Sequence, residues 1–77
     1  MAPMTRNRAD TQGIPTTMMA AYYGQRASAG LIVSESVPIS AQAVGYPSTP
    51  GLYEQRQTLG WRLVTEAVHA GEGRIFA

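Results

Sequence analysis

The feature that most constrains the fold is a short apolar run between two longer segments with helical spacing. Residues 31–35 follow Gly30 and begin with Leu31, Ile32 and Val33, three apolar side chains without alternation. Such a run is typical of a strand that is buried on both faces, as in a parallel sheet. Its length, its β-branched residues and the preceding glycine favour a strand over a turn of buried helix. We therefore predict a strand here.

Helical spacing marks the segments on both sides of this strand. Residues 16–28 follow a proline, which a first helical turn tolerates, and four of their side chains recur at i, i+3, i+4 and i+7. Residues 54–70 carry an apolar stripe and end beside Gly71, a candidate C-cap. We expect the helices to pack through these side chains: Met19, Tyr22, Tyr23 and Arg26 in the first, and Trp61, Val64 and Val68 in the second.

The rest of the chain predicts one long loop and two outer strand pieces. Residues 36–52 are rich in proline and glycine, which argues against regular structure. Residues 1–3 have the character of the tail of a strand, and residues 74–77 that of the start of another. The order β-α-β-α-β predicts an α/β fold with a parallel sheet and crossover helices.

The outer strands are incomplete in this pattern. Three parallel strands with two helices leave two open edges and one poorly covered face, and exposed edges are features that finished domains usually protect. At 77 residues the chain has room for one small domain at most. We therefore expect residues 1–77 to be an incomplete N-terminal part of a larger domain, and the remainder of that domain to be their main partner.

The composition excludes several classes of site. The chain has no cysteine and one histidine, which excludes a disulfide, a thiolate metal site and a histidine metal cluster. All six basic residues are scattered arginines and the net charge is +1, which argues against nucleic acid or an anionic membrane as partner. No apolar run approaches the roughly 20 residues of a membrane span, and no signal-peptide pattern is present. A cytoplasmic protein is expected.

Chemistry is expected in the loops that follow the strands. Such loops gather at one end of a parallel sheet, where both β/α barrels and open doubly wound sheets place their active sites. Residues 4–14 and 36–52 form two loops of this kind, and their best candidates are Thr5, Ser36 and Tyr46. The dinucleotide fingerprint, the P-loop, the nucleophile elbow and the zinc-protease motif are absent. No catalytic residue is predicted in this chain.

Several motifs, in order along nearly the whole chain, resemble the start of an Old Yellow Enzyme. The first is similar to the end of the first barrel strand of that family, the second to its first helix and second strand, the next two to the following loop, and the rest to its second helix. These motifs are APMTR at 2–6, YYGQRASAGLIVSE at 22–35, GYP at 45–47, PGLY at 50–53, Trp61, VT at 64–65 and AVH at 67–69.

The resemblance implies a fold and an activity. The fold is a (β/α)8 TIM barrel, of which β-α-β-α-β is one part, and the activity is that of a flavoprotein oxidoreductase. FMN would lie at the C-terminal mouth of the barrel, and hydride from NADPH or NADH would pass through it to an electron-poor alkene such as an enone. The family's proton donor, carbonyl-binding residues and phosphate-binding arginine lie beyond these motifs, so the isolated chain is expected to be inactive.

The resemblance also implies roles for five residues. The positions matching Pro3, Met4 and Thr5 line the flavin ring, and the threonine hydroxyl donates a hydrogen bond to the flavin O4 region. Ser36 matches a flavin-contact position that is normally alanine or glycine, so the serine departs from the family pattern. Tyr46 matches an aromatic residue that lines the substrate pocket.

Structural roles compete with these functional ones. A serine at a strand end, such as Ser36, often only satisfies local backbone groups. Tyr22 and Tyr23 are expected to pack in the core rather than to bind a ligand. Glu35 stands at the end of a strand, but we expect it to form a structural ion pair with an arginine.

Two other functions stay open. In the first hypothesis, the chain is a degenerate or partner-dependent βα-barrel remnant without activity. In the second, it is a small binding module that reuses the βα scaffold without flavin. Only the serine at position 36 favours the binding module. Tight binding of FMN by a complete barrel that carries these residues would exclude it.

Overall fold

Two helices and two short parallel strands form the framework of the computed structural model, which describes residues 1–77. Helix α1 spans Thr17–Gly24, strand β1 Ile32–Val33, helix α2 Gln55–Ala70 and strand β2 Ile75–Phe76. The strands pair in parallel, with Ile32 opposite Ile75 and Val33 opposite Phe76. Single 3-10 turns lie at Ala27–Ala29 and Ala41–Ala43. The predicted α/β class with parallel strands is confirmed.

The chain start pairs with the free edge of β1. The amino group of Met1 donates to the Leu31 carbonyl oxygen at 2.6 Å, and the Val33 N–H donates to the Met1 carbonyl oxygen at 3.0 Å. A residue that bonds in this way to both neighbours of one opposing residue shows the pattern of a parallel ladder. Strand β1 is therefore central, with Met1 on one side and β2 on the other.

The core lies between the two helices and β1. Met19 and Tyr23 of α1 face Trp61, Val64 and Val68 of α2, and all five side chains are buried. The Tyr23 and Trp61 rings lie 6.3 Å apart between centroids. The predicted stripe of α2 is confirmed, as is the burial of two of the four side chains expected from α1.

The first helix is shorter than predicted, because it ends at Gly24 instead of continuing to residue 28. Thr16 caps its start by accepting a hydrogen bond from the Met19 N–H at 3.3 Å. Beyond Gly24 the chain turns, and Ala27 packs against the bend after α2. A Cβ at Gly73 would lie 2.5 Å from the Ala27 carbonyl oxygen, so only glycine permits this approach. Tertiary packing of the 3-10 turn therefore overrides the helical pattern.

The central strand is also shorter than the predicted residues 31–35, and its faces differ. Ile32 is fully buried against the helices, whereas Val33 is 37% exposed on the opposite face. The expectation of burial on both faces is wrong for this chain, because α1 and α2 cover only one side of the sheet. The prediction of one poorly covered face is confirmed.

The remaining boundaries follow the sequence closely, except that the predicted strand at residues 1–3 does not form and only Met1 pairs with β1. Helix α2 begins one residue later than predicted and ends at the same residue, and Gly71 is its C-cap. The long loop contains no regular element except the turn Ala41–Ala43. Neither helix has both the length and the apolar character that crossing a bilayer requires.

The isolated chain is predicted to lack a sharp unfolding transition. Leu59, Leu63 and Phe76 are exposed large apolar side chains, and two-residue strands hold the sheet. Chains of this size bury only a modest share of their surface, and small folds often need a disulfide, metal or partner to be stable. We expect a broad thermal transition in Trp61 fluorescence and strong binding of a hydrophobic dye. A steep, concentration-independent melt of a monomer would contradict this prediction.

Candidate functional site

The carboxyl ends of three parallel chain segments open onto one pocket of about 480 Å³. This volume falls in the range of roughly 300–1,000 Å³ that is usual for small-molecule sites. We call it the strand-end pocket. It is lined by residues that follow Met1, β1 and β2 in turn, namely Pro3, Met4, Thr5, Ser34, Glu35, Ser36, Val37 and Ala77.

Chain direction explains why these residues meet. All three segments run in parallel, so the residue that follows each one emerges at the same edge of the sheet. The Ser34 N–H still donates to the Phe76 carbonyl oxygen at 2.8 Å, which holds the exits of β1 and β2 side by side. The four predicted cofactor-binding residues, Pro3, Met4, Thr5 and Ser36, are therefore brought together, and all four are exposed.

Tyr46 lies beside this pocket and does not line it. It borders a smaller pocket of about 150 Å³, and Ser36 belongs to the walls of both. Tyr46 is 68% exposed. The Tyr46 backbone carbonyl oxygen accepts a hydrogen bond from the Thr49 hydroxyl at 3.2 Å, which closes the turn that carries Tyr46. Ser36 therefore lies between the strand-end pocket, which holds the predicted cofactor-binding residues, and the smaller pocket beside Tyr46, the predicted substrate-binding residue.

Backbone hydrogen bonds fasten the two strand-following loops to each other. The Ala9 N–H donates to the Ser48 carbonyl oxygen at 3.0 Å, and the Gly51 N–H donates to the Gly13 carbonyl oxygen at 2.9 Å. These bonds join the loop after the chain start to the loop that carries Tyr46. The two loops therefore form one layer at this end of the sheet.

Gln57 adds a buried side-chain link to the same layer. Its Oε1 accepts from the Tyr53 N–H at 3.0 Å, and its Nε2 donates to the Gln12 carbonyl oxygen at 3.0 Å. The side chain is fully buried, and a Cβ at Gly51 would lie 2.6 Å from Gln57 Oε1. Gln57 is not among the residues predicted from the sequence. The available signal is its position four residues before Trp61, which puts a polar side chain in line with the apolar stripe of α2.

A buried ion pair borders the strand-end pocket, and one of its partners, Glu35, is among the residues that line it. Arg6 Nη2 and Glu35 Oε2 are 2.5 Å apart, and the Glu35 side chain is fully buried. The Tyr23 hydroxyl donates to the same Oε2 at 2.8 Å and accepts from the Glu35 N–H at 2.9 Å. The predicted ion pair between Glu35 and an arginine is confirmed, and its additional tyrosine partner was not foreseen.

This cluster shifts the pKa of two of its members. Burial, together with the side-chain hydrogen bond and charge of Glu35, raises the pKa of Tyr23 to about 12. Burial by itself lowers the pKa of Arg6, but the hydrogen bonds and charges of Glu35 and Tyr23 together raise it above its ordinary value. Tyr23 is therefore a neutral donor and Arg6 a permanent cation at physiological pH.

Stacking also holds the Arg6 guanidinium. Its central carbon lies 3.6 Å from the centroid of the Tyr22 ring, and the central carbon of Arg26 lies 3.7 Å from the same centroid. Two guanidinium groups this close to one centroid must occupy opposite faces of the ring. Tyr22 is thus sandwiched between two arginines, an arrangement that cation–π attraction favours.

The fold and pocket together define a class of protein. A parallel β/α unit with a pocket at the carboxyl ends of its strands is typical of α/β proteins, which commonly place their ligand sites at that edge. A sequence profile of the NADH:flavin oxidoreductase / NADH oxidase family matches residues 1–77, and the chain belongs to that family. The resemblance to Old Yellow Enzymes seen in the sequence motifs is therefore confirmed.

Individual relatives agree with this assignment. Chanoclavine-I aldehyde reductase of Penicillium roqueforti is 46% identical over 78 residues, covering 99% of this chain and 21% of the relative. A probable flavin mononucleotide-dependent alkene reductase of Leishmania infantum is 43% identical over 76 residues, with coverage of 99% and 21%. The structure of the Old Yellow Enzyme homologue from Zymomonas mobilis superposes with a TM-score of 0.97 at 51% identity, covering 100% of this chain and 22% of that one.

The matched region is a small part of each relative. The chain spans about a fifth of the length of the curated relatives that it matches. A suitable setting for experiments is therefore a chimera in which residues 1–77 replace the matching segment of the Zymomonas mobilis homologue. This protein is called the chimera below.

Removing the Gln57 side chain is predicted to loosen the loop layer. In the chimera, Gln57→Ala leaves the Tyr53 N–H and the Gln12 carbonyl without partners, and we expect a loss of about 2–4 kcal/mol in the free energy of unfolding. Gln55→Ala, at an exposed position of the same helix, should change it by less than about 0.5 kcal/mol. Urea unfolding measures both, and equal effects would contradict a role for the buried amide.

Stability is predicted to fall at alkaline pH through Tyr23. Its pKa is about 12 in the folded chain, against an ordinary value of 10.0. The folded state therefore holds this proton more tightly, and stability decreases as pH rises between these values. Relative to Tyr23→Phe, the chimera should lose about 1 kcal/mol between pH 9 and 11. Parallel stability curves for the two proteins in urea unfolding would refute this.

Proposed function

We propose that this chain supplies part of the flavin site of an ene-reductase. In the complete protein, hydride from NADPH or NADH would pass through FMN to an electron-poor carbon–carbon double bond. The observation that carries the proposal is the strand-end pocket, which gathers the four residues that the family resemblance assigns to the flavin. Membership of a family of flavin oxidoreductases supports the chemistry, and the relative from Leishmania infantum supports the alkene as substrate class.

The residues of the strand-end pocket fit a flavin ring. Pro3 and Met4 offer apolar surface to a flat aromatic system, while Thr5 and Ser36 offer hydroxyl groups at its edge. All four side chains are exposed, so none must leave the core to make contact. When bound, FMN supplies the centre that accepts and gives up hydride.

Thr5 would tune this centre through a hydrogen bond. A hydroxyl that donates to the O4 region of the flavin stabilises the negative charge that accumulates on the ring upon reduction. Thr5 lies in the loop that follows the Met1 segment, where it lines the strand-end pocket together with Ser36. Ser36, on the neighbouring exit, would approach the same ring from the side of the second pocket.

Tyr46 would contact the substrate. Its exposed ring borders a pocket that shares Ser36 with the strand-end pocket, so an alkene held against Tyr46 would lie next to the flavin. An aromatic ring provides a large contact surface and a hydroxyl that can bind a polar substituent. Proton donation to the alkene is not assigned to any residue of this chain.

The proposed partner of this chain is the rest of a barrel, and one alternative function remains. The remainder of the barrel would complete the pocket, and the isolated chain would be inactive. The alternative is a non-catalytic remnant or binding module that keeps the βα scaffold without binding flavin. A chimera that folds and remains colourless would favour this alternative.

Loss of the Thr5 hydroxyl is predicted to disfavour flavin reduction. A hydrogen bond to a charged group contributes about 1.5–3 kcal/mol, which corresponds to a two-electron potential about 30–60 mV more negative in Thr5→Ala. Thr5→Ser should stay near the parent value. Thr11→Ala, at an exposed position of the same loop, is the control and should leave the potential unchanged. An unaltered potential in Thr5→Ala would remove Thr5 from the flavin site.

A further inference from the structure

The segment that carries the proposed flavin contacts has almost no backbone anchorage. Before this segment, the Val33 N–H donates a hydrogen bond to the Met1 carbonyl oxygen. After it, the Ala9 N–H donates to the Ser48 carbonyl oxygen. Residues 2–8 make no backbone–backbone hydrogen bond in between. Something other than the sheet ladder must therefore hold Thr5 in place.

The Arg6 side chain is the anchor of this segment. Its bond to Glu35 crosses from the exit of the first segment to the exit of β1, a separation of 29 residues in the chain. Arg6 directly follows Thr5, and Glu35 directly precedes Ser36. The ion pair therefore joins the two walls of the strand-end pocket one residue away from each hydroxyl.

Each partner of the ion pair is itself fixed. Glu35 lies two residues after β1 and is held by two hydrogen bonds with Tyr23, whose ring is buried in the core. The Arg6 guanidinium lies against the Tyr22 ring. Both tyrosines belong to α1, so contacts with a helix that packs on the sheet fix the position of Arg6. The wall separation thus depends on rigid elements and not on the loops.

The energetics favour a geometric role over a stabilising one. Arg6 Nε and Glu35 Oε1 are buried and lack hydrogen-bond partners. Removing two charges from water is costly, and apolar replacements of buried ion pairs are often as stable as the originals. A pair with one unpartnered atom on each side is therefore a poor source of stability, but its short directional bond defines a distance.

We propose that Arg6 and Glu35 are positioning residues, which set the separation of Thr5 and Ser36 so that both reach the flavin. This inference rests on the proposed function. Tyr23 belongs to the same device, because it orients the carboxylate that Arg6 binds. None of the three needs to touch the cofactor. Residues that orient a binding group in this way commonly change affinity by about tenfold or more when replaced, as partners of metal ligands do.

The test compares loss of geometry with loss of stability in the chimera. Glu35→Gln leaves the Arg6 charge without a counter-ion and should lower both stability and FMN affinity. The triple replacement Arg6→Met, Tyr23→Phe, Glu35→Leu removes the polar device as a unit, so the unfolding midpoint in urea should return close to the parent. FMN should nevertheless bind about tenfold more weakly, with a shifted visible absorption band.

A second ion pair on the surface provides the matched control. Arg62 and Glu66 lie one helical turn apart on α2, 3.6 Å between charged atoms, and both are largely exposed. The double replacement Arg62→Met, Glu66→Leu removes the same charges away from the pocket, so FMN affinity and spectrum should match the parent. Parental affinity and spectrum in the triple variant as well would overturn the positioning role, while the proposed function would stand.

A readout without flavin separates this inference from the proposed function. In the apo-protein, tryptic cleavage after Arg8 reports the freedom of the weakly anchored segment, and cleavage after Arg56 at the start of α2 is the internal reference. We expect Glu35→Gln and the triple variant to be cut after Arg8 about tenfold faster. A parent chimera that binds no FMN would refute the proposed function, and unchanged cleavage after Arg8 would refute the positioning role.

Discussion

The position of Tyr23 is the constraint on which the rest of the structure depends. Its ring fills the space between α1 and α2 against Trp61, while its hydroxyl reaches the end of β1 and bonds to Glu35. One side chain thus connects the apolar core to the polar edge of the sheet. Because the hydroxyl both donates and accepts, it fixes the backbone and the carboxylate of Glu35 together.

Polar side chains hold the functional end of the molecule together, whereas apolar packing holds the other layers. At the carboxyl ends the strands have stopped, and the sheet ladder no longer orders the chain. Arg6 with Glu35 joins the strand exits, and Gln57 joins the two loops beyond them. Buried polar links of this kind specify one arrangement, because a displaced partner would be left unsatisfied. That property suits a site whose residues come from separate segments.

Family membership and pocket geometry support each other. The family is defined by flavin-dependent oxidoreduction, and the pocket lies where parallel β/α proteins bind their ligands. The chain spans about a fifth of the length of its curated relatives. Within residues 1–77, Val33 of β1 and the apolar side chains Leu59 and Leu63 of α2 are exposed.

Local signals in the sequence determined the order of α1, β1, α2 and β2, the bounds of α2, its buried stripe and the edge of the sheet where the predicted cofactor residues meet. These follow from periodicity, turn chemistry and chain direction, which act over short distances. Only the tertiary structure decided where α1 ends, because close contact of Ala27 with Gly73 forms across the fold. It also decided that Tyr23 and Gln57 form buried polar links to Glu35 and Gln12. These partners lie 12 and 45 residues away in sequence, so helical periodicity could not identify them.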